Sequence, residues 1–330
     1  MNLILINFFS ALILLFIGTQ LLVNASITLS NKLSINRIII GFTIVSLATS
    51  LPELFVTLGS SLKGYYDFAV GNIIGSNISN ISLVLGMTAL ISPIVFSKKE
   101  IYLNLFPLIF VSVLFVLVFI TIGVFNFFSG VFSILTLIAF NIFLFKKGKT
   151  VLKIEDQRKS NIFILFGKEI IIRRLVYLIL ILFSGSLILW YGSEMLINSS
   201  KAIAAKIGVS DRVISISLVA LGTSLPELFA SIYAAYKKET QLAIGNLLGS
   251  NIFNMLAVIG FTTCVQDISV GKILLPDAII MLFITFLLLP CFYIRYMFDV
   301  TKNGNSMLIY KWEGLCLLTI YILYISFVIA

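Results

Sequence analysis

Long apolar segments separated by short polar ones run through the whole chain, and each is about long enough to cross a bilayer. A spanning helix needs roughly 20 apolar residues to cover the hydrocarbon layer. The pattern predicts an all-α polytopic membrane protein with ten transmembrane helices. They lie near residues 3–24, 38–62, 69–92, 102–123, 127–145, 174–199, 213–236, 242–265, 273–295 and 308–329.

The composition supports this interpretation and excludes several classes of function. Of the 330 residues, 60% are hydrophobic and 11% are charged, against roughly 45–50% and about 25% in soluble domains. The chain has no histidine, which excludes histidine catalysis and histidine metal ligation. Cys264, Cys291 and Cys316 are scattered and fit neither a metal site nor a disulfide framework. We therefore expect no enzyme activity and no cofactor.

The basic residues are distributed unevenly between the predicted loops. With the N-terminus outside, 18 of the 23 lysines and arginines fall in inner loops and 5 in outer loops. Because positive charge favours the cytoplasmic side, both termini should be outside. The net charge of +9 then reflects topology, and we expect no nucleic-acid partner. Residues 146–173 should form a basic, solvated cytoplasmic loop, with a lipid-binding or regulatory role left open.

A repeated motif divides the chain into two related halves. Residues Thr49–Phe55 recur as Thr223–Phe229, an offset of 174, and seven of the ten positions in 71–80 match those in 245–254 at the same offset. The units are a first five-helix repeat at 1–145 (motif 41–86) and a second at 174–330 (motif 215–260). An odd number of spans places the two copies in opposite orientations. Inverted repeats are typical of secondary transporters, whose substrate site lies near the membrane midplane.

The repeated motif carries the chemistry. Pro52 lacks an N–H and crowds the carbonyl of Ala48, so the second helix should break there, and Pro226 does the same in the second half. Glu53 and Glu227 are the only acidic residues near the middle of any predicted span, and a carboxylate at that depth is a functional candidate by default. Gln20 and Glu194 are also equivalent, but they lie toward helix ends, where we expect solvation.

Polar side chains near the two glutamates offer oxygen and neither sulfur nor imidazole. Such sites suit sodium, calcium or magnesium rather than zinc or copper. Two glutamates balance one calcium ion, and they could instead hold sodium ions or bind protons. The helical spacing places these residues on shared faces. They are Ser46, Thr49 and Ser50; Asn72, Ser76 and Asn80; and, in the second half, Thr223, Ser224, Asn246, Ser250 and Asn254.

The segments ATSLPE and GTSLPE, each followed by GNxxGSN, resemble the two alpha repeats of the sodium/calcium exchanger family, particularly its compact prokaryotic members. The resemblance implies exchange of Na⁺ for Ca²⁺ by alternating access in a prokaryotic plasma (inner) membrane, with lipid as the surroundings and no obligate protein partner. It also implies that the first and sixth helices form a sliding gate. Thr49, Glu53, Thr223 and Glu227 match calcium ligands. Positions lining sodium sites are matched by Ser46, Ser50, Ser76, Ala220, Ser224 and Ser250.

The chain departs from the family pattern at the third helix of each half. Family members often carry an aspartate at one of the positions occupied here by Asn80 and Asn254, and a phenylalanine where this chain has Ser79. These differences leave the number and selectivity of the sodium sites open. The alternatives are proton-driven calcium exchange through the same glutamates and, less favoured, a cation channel, against which the inverted repeat argues.

Overall fold

The computed structural model describes residues 2–97, 101–147, 161–206, 222–298 and 306–329. Within these ranges the chain forms eleven α-helices: α1 (Asn2–Leu33), α2 (Arg37–Thr49), α3 (Leu51–Leu62), α4 (Tyr66–Ile91), α5 (Phe106–Thr121), α6 (Phe127–Lys147), α7 (Leu175–Lys206), α8 (Leu225–Tyr236), α9 (Thr240–Val265), α10 (Leu275–Phe298) and α11 (Lys311–Ile329). Short π-helical turns occupy Gly41–Val45, Asn80–Val84, Ile101–Leu105 and Asn254–Val258, and a 3-10 turn covers Lys272–Leu274.

Eight stretches of this helical framework are long and apolar enough to cross a bilayer, and α2 with α3 forms a ninth that is bent by 42°. The predicted all-helical, polytopic architecture is confirmed. The predicted seventh span, 213–236, lies partly outside the described residues, which resume at residue 222. Its described part is 222–236, which contains α8.

Three pairs of short antiparallel strands link the loops. They are β1 (Ile94–Ser97) with β6 (Ser306–Ile309), β2 (Val124–Phe125) with β5 (Ile268–Ser269), and β3 (Ile162–Leu165) with β4 (Lys168–Ile171). β1 follows α4 of the first half and pairs with β6, which precedes the last helix of the second half. β5 follows α9 of the second half and pairs with β2, which precedes the last helix of the first half, so the two pairings are reciprocal. The ends of the two halves are thereby joined crosswise.

The helices α4 and α9 form the centre of the molecule. In their apolar windows 78% and 94% of the residues are buried, against 17–44% for the other spanning helices of the described ranges. The long helices α1 and α7 pack closely against each other. A side chain at Gly18 would lie 2.9 Å from the backbone nitrogen of Leu189, so glycine permits the two backbones to approach closely.

Contacts between loops divide them into two groups. Arg37, at the start of α2, forms an ion pair with Glu239, just before α9. At the start of α4, Asp67 accepts the backbone N–H of Gly271 from the loop after α9, at 3.0 Å. Both partners of the first contact belong to loops predicted to lie inside, and both partners of the second to loops predicted to lie outside. Each contact therefore joins loops that share a side in the predicted topology.

The central loop is more structured than expected. Residues 161–172 form a β-hairpin, closed by Phe166 and Gly167 with φ of 48° and 77°, as a two-residue turn requires. The hairpin lies along α1 and buries Phe163. The expectation of a solvated linker is therefore wrong for β3, whose Phe163 packs against α1, whereas all four residues of β4 are exposed. Residues 148–160 of the loop lie outside the described ranges.

Hydrogen bonds from one face of α1 hold the hairpin. Lys32 Nζ donates to Asn161 Oδ1 at 2.8 Å, and Thr28 Oγ1 donates to the carbonyl of Ile162 at 3.0 Å. The side-chain oxygen of Gln20 accepts the N–H of Phe166 at 3.2 Å. Gln20 is 5% exposed, so the expected solvation of this residue is wrong. These contacts also explain why α1 continues to Leu33, nine residues beyond the predicted end.

Candidate functional site

The second helix breaks where the proline positions predict. Helix α2 ends at Thr49 and α3 begins at Leu51, and Ser50 between them has φ −85° and ψ 5°. In the second half Ser224 has nearly the same values, −84° and 4°, immediately before α8. Each break places a glutamate in the first turn of a new helix, where the positive end of the helix dipole favours a carboxylate.

Both glutamate side chains are completely buried, and each is held by a serine from the neighbouring helix. Ser76 of α4 donates to Oε1 of Glu53 at 2.9 Å, and Ser250 of α9 donates to Oε1 of Glu227 at 3.4 Å. Ser50 also donates to Oε1 of Glu227, at 3.3 Å. Within the described ranges, Oε2 of each glutamate has no hydrogen-bond partner. Each carboxylate therefore keeps one oxygen free to bind a cation.

Side chains cross between the halves in pairs. Thr49 donates to Oδ1 of Asn246 at 3.1 Å, and Thr223 donates to Oδ1 of Asn72 at 3.4 Å. The Thr49 hydroxyl is also 3.4 Å from that of Ser250. Each of these pairs joins a residue next to a helix break with a residue of the central helix from the other half.

A second crossing contact joins the hydroxyls of Ser76 and Ser224, 3.2 Å apart. Because Ser76 gives its proton to Glu53, Ser224 is the donor in this contact. One hydroxyl chain thus runs from the break in the second half to the carboxylate of the first.

The sequence analysis missed two residues that fix the framework of the site. Thr57 accepts a hydrogen bond from Nδ2 of Asn72 at 3.1 Å, and Ser231 accepts one from Nδ2 of Asn246 at 3.0 Å. Both acceptors are fully buried and stand at the repeat offset of 174. Their signal in the sequence is a shared hydroxyl at equivalent positions, which a search for identical residues overlooks.

The two asparagines that begin π-helical turns differ in their contacts. Asn254 donates from Nδ2 to Ser76 at 3.2 Å and to Oδ1 of Asn77 at 3.1 Å. The side chain of Asn80 is fully buried, and neither of its polar atoms has a partner among the described residues. Such turns occur often at functional sites. Here each turn lies against the glutamate-bearing helix of the other half.

One described candidate, Ser46, makes no side-chain hydrogen bond to this network. Ser46 turns its hydroxyl back to the carbonyl of Phe42 in its own helix and lies beside Gly249 of α9. Its equivalent, Ala220, lies outside the described residues. The structure brings the other candidates into one buried cluster: Thr49, Ser50, Glu53, Ser76, Thr223, Ser224, Glu227, Ser250 and Asn254, with Asn80 bordering it.

Four buried oxygens of this cluster have no partner within the described ranges. They are Oε2 of Glu53, Oε2 of Glu227, Oδ1 of Asn80 and Oδ1 of Asn254. Buried polar groups normally find a partner, and carboxylate and amide oxygens are ligands of hard cations. No group of three or more histidine, cysteine or acidic side chains is present in the described part of the chain. The four oxygens that lack a partner among the described residues are of the kind that hard cations prefer.

Comparison with known proteins agrees with this chemistry. The family model described as sodium/calcium exchanger protein matches residues 3–146 and 177–330. The chain belongs to the sodium/calcium exchanger protein family. It is a membrane transporter of the cation/Ca²⁺ antiporter type and not an enzyme.

Relatives match over three quarters or more of this exchanger. An uncharacterized membrane protein of Methanocaldococcus jannaschii is 31% identical over 322 residues, covering 97% of this chain and 96% of that protein. The sodium/calcium exchanger MaX1 of Methanosarcina acetivorans is 27% identical, with 95% of each chain covered. The putative antiporter CaxA of Alkalimonas amylolytica is 34% identical over 77% of this chain and 78% of its own length.

Solved structures show the same fold. The sodium-calcium exchanger NCX_Mj, in a crystal soaked with 10 mM Na⁺ and zero Ca²⁺, superimposes with a TM-score of 0.79 at 27% identity, covering 98% of both chains. The structure of NCX_Mj soaked with 2.5 mM Na⁺ and 0.1 mM Ca²⁺ gives 0.78 at 26% identity, again over 98% of each chain.

Proposed function

We propose that this exchanger moves Ca²⁺ against Na⁺ across the plasma membrane of a prokaryote, with both termini outside. The observation that carries the proposal is the pair of fully buried glutamates, each with one oxygen bound by serine and the other without a partner among the described residues. Two carboxylates match the charge of one calcium ion. Relatives named as sodium/calcium exchangers, including MaX1 and NCX_Mj, support the choice of Na⁺ and Ca²⁺ as the two exchanged ions.

The proposed ligands divide by chemistry. Carboxylate and threonine oxygens would bind Ca²⁺: Thr49, Glu53, Thr223 and Glu227. Hydroxyls and neighbouring positions would complete the sodium sites: Ser46, Ser50, Ser76, Ala220, Ser224 and Ser250, with Asn80 and Asn254 at the centre. Two carboxylates hold one Ca²⁺ without excess charge, whereas three Na⁺ would leave +1 in a low-dielectric site. A third Na⁺ would then need hydroxyl and carbonyl ligands.

Alternating access follows from the proposed inverted repeat. If the two halves are inverted copies, exchanging their conformations turns an outward-open transporter into an inward-open one. The reciprocal strand pairs and the paired hydrogen bonds across the halves support this arrangement. The helices α1 and α7, whose glycines allow close contact, are the elements that we expect to slide.

The driving ion is decided by flux in proteoliposomes. We expect Ca²⁺ uptake when an outward Na⁺ gradient is imposed at constant pH, and none when a pH gradient is imposed without Na⁺. Uptake driven only by the pH gradient would identify H⁺ rather than Na⁺ as the counter-ion that binds to the same glutamates. Passive Ca²⁺ movement without either counter-ion would identify a channel instead.

Orientation is tested at two exposed lysines that are equivalent by the repeat. Lys63 follows α3, and Lys237 follows α8, 174 residues later. In a background without the native cysteines, an impermeant thiol reagent added outside should label Lys63→Cys and leave Lys237→Cys unlabelled. Labelling of both from outside would contradict the inverted repeat, and the opposite pattern would reverse the topology.

A further inference from the structure

An apolar groove runs along α7 beside the end of the β-hairpin. Its volume is about 960 Å³, and no acidic residue lines it. Arg173 and Arg174 stand at one end, directly before α7, and Leu180, Phe183 and Leu187 follow along its length. All five side chains are exposed. The groove is therefore amphipathic along its axis, with two guanidinium groups at one end and hydrocarbon along the rest.

The dimensions of the groove match one leaflet of a bilayer. Between Leu175 and Leu187 an α-helix rises about 18 Å, and half of the hydrocarbon core measures about 15 Å. The apolar positions on this part of α7 belong to a predicted membrane span, so they face acyl chains. The arginines lie where that span begins, at the level of lipid headgroups.

The backbone that carries the two arginines is fixed. Lys32 of α1 donates to the carbonyls of Ile172 and Arg173, and the side chain of Ile172 is 7% exposed. The hairpin thus holds the chain in place while the two guanidinium groups stay exposed. A site with a rigid backbone and exposed arginines is suited to phosphate, which guanidinium binds through two parallel hydrogen bonds.

We propose that this groove binds an anionic glycerophospholipid. Its phosphate would lie against Arg173 and Arg174, and an acyl chain would follow Leu180, Phe183 and Leu187. Basic pockets beside membrane helices bind anionic headgroups in this manner. The hairpin contacts α1 on its other side, so the lipid would link α7 to α1 through the hairpin. This inference does not depend on which ions are exchanged.

Native mass spectrometry of the full-length protein in detergent tests the site. Dioleoyl phosphatidylglycerol and dioleoyl phosphatidylcholine, which share acyl chains, are titrated in parallel. We expect the wild type to bind phosphatidylglycerol more tightly. In the double variant R173Q/R174Q, the ratio of the affinity for phosphatidylglycerol to that for phosphatidylcholine should fall about fivefold for each arginine removed. The matched control is K146Q/K147Q, which removes the same charge from the end of α6 and should keep the preference.

Three results would overturn the proposal. The first is a wild type without preference for the anionic lipid. The second is an equal loss in K146Q/K147Q, which would indicate attraction by overall charge rather than a site. The third is displacement of the lipid by millimolar inorganic phosphate, which would mean that the arginines bind an anion and that the apolar groove contributes nothing.

Discussion

In the first half of the chain Ser76 donates to Glu53 at 2.9 Å, and in the second half Ser250 donates to Glu227 at 3.4 Å. The asparagine bonds behind them are also duplicated, at 3.1 and 3.0 Å. The asparagines of the π-helical turns are not duplicated in this way, because Asn254 makes two hydrogen bonds and Asn80 makes none to the described residues. The serine and asparagine bonds that hold the two glutamates are therefore duplicated. The contacts of Asn80 and Asn254 differ between the halves, and so do those of the serines at the helix breaks, since Ser50 bonds to Glu227 whereas Ser224 bonds to Ser76.

The largest effect is expected from the symmetric part. Glu53→Gln and Glu227→Gln each remove half of the site's negative charge, so each should reduce Ca²⁺ flux by at least roughly 100-fold, about 3 kcal/mol of binding free energy. Flux in proteoliposomes measures this, and the exposed Glu194, changed to glutamine, is the control that should retain transport. Near-normal flux in one of the two variants would show that the halves do not share the ion.

The different contacts of Asn80 and Asn254 should give their substitutions different effects on stability. Asn254→Leu leaves Oδ1 of Asn77 without its donor and removes one of the two hydrogen bonds that Ser76 accepts, which costs about 1–3 kcal/mol. Asn80→Leu removes a side chain that makes no hydrogen bond to the described residues, so its unfolding free energy should fall less. Thermal unfolding in detergent compares the two. Equal destabilisation would mean that the bonds of Asn254 do not distinguish the halves.

A smaller effect, equal in the two halves, is expected from substitution of Thr57 and Ser231, which accept hydrogen bonds from the asparagines behind the glutamates. Thr57→Val and Ser231→Ala each leave a buried asparagine N–H unpaired, at a cost of about 1 kcal/mol. Apparent Ca²⁺ affinity should fall by about fivefold in both variants. Ser61→Ala is the control, since the buried hydroxyl of Ser61 has no partner within the described ranges. Unequal losses in the two variants would break the symmetry of the framework.

Residue chemistry alone predicted the centre of the molecule. A proline ring cannot continue the hydrogen-bond ladder of a helix, so the break beside Ser50 was readable from Pro52. A carboxylate in the middle of an apolar span has no structural reason to be there, which made Glu53 and Glu227 candidates. The repeat then located their partners in the central helices, because the same offset relates every landmark.

Contacts between distant parts of the chain could not be predicted in this way. The polar residues from Asn24 to Asn31 suggest the end of a helix, but the structure continues α1 through them because Thr28 and Lys32 donate hydrogen bonds to the hairpin. The hairpin that covers this face lies more than 130 residues away. Its basic neighbours predicted a solvated loop. That its Phe163 is buried becomes evident only in the folded structure, where α1 packs against this side chain.

The paired helices α1 and α7 give a second comparison. Gln20 of α1 and Glu194 of α7 stand at equivalent positions of the repeat, yet the hairpin covers Gln20, whereas Glu194 is exposed and lines a cavity of about 320 Å³ together with Asn7 and Asn198. The same face of the repeated helix is therefore closed at the predicted inner side and open at the predicted outer side.

This difference leads to the smallest predicted effect. In Gln20→Leu the N–H of Phe166 loses its acceptor, so the hairpin should be held less firmly by about 1 kcal/mol. Hydrogen exchange of the hairpin amides at 162–171 should then be about fivefold faster, with Ca²⁺ flux nearly unchanged, because Gln20 makes no contact with the glutamates. Glu194→Leu is the matched control and should leave hairpin exchange as it is. Faster exchange in both variants would mean that the hairpin responds to the packing of α1 on α7 as a whole, and unchanged exchange in Gln20→Leu would mean that Phe163 and Lys32 hold the hairpin without this bond.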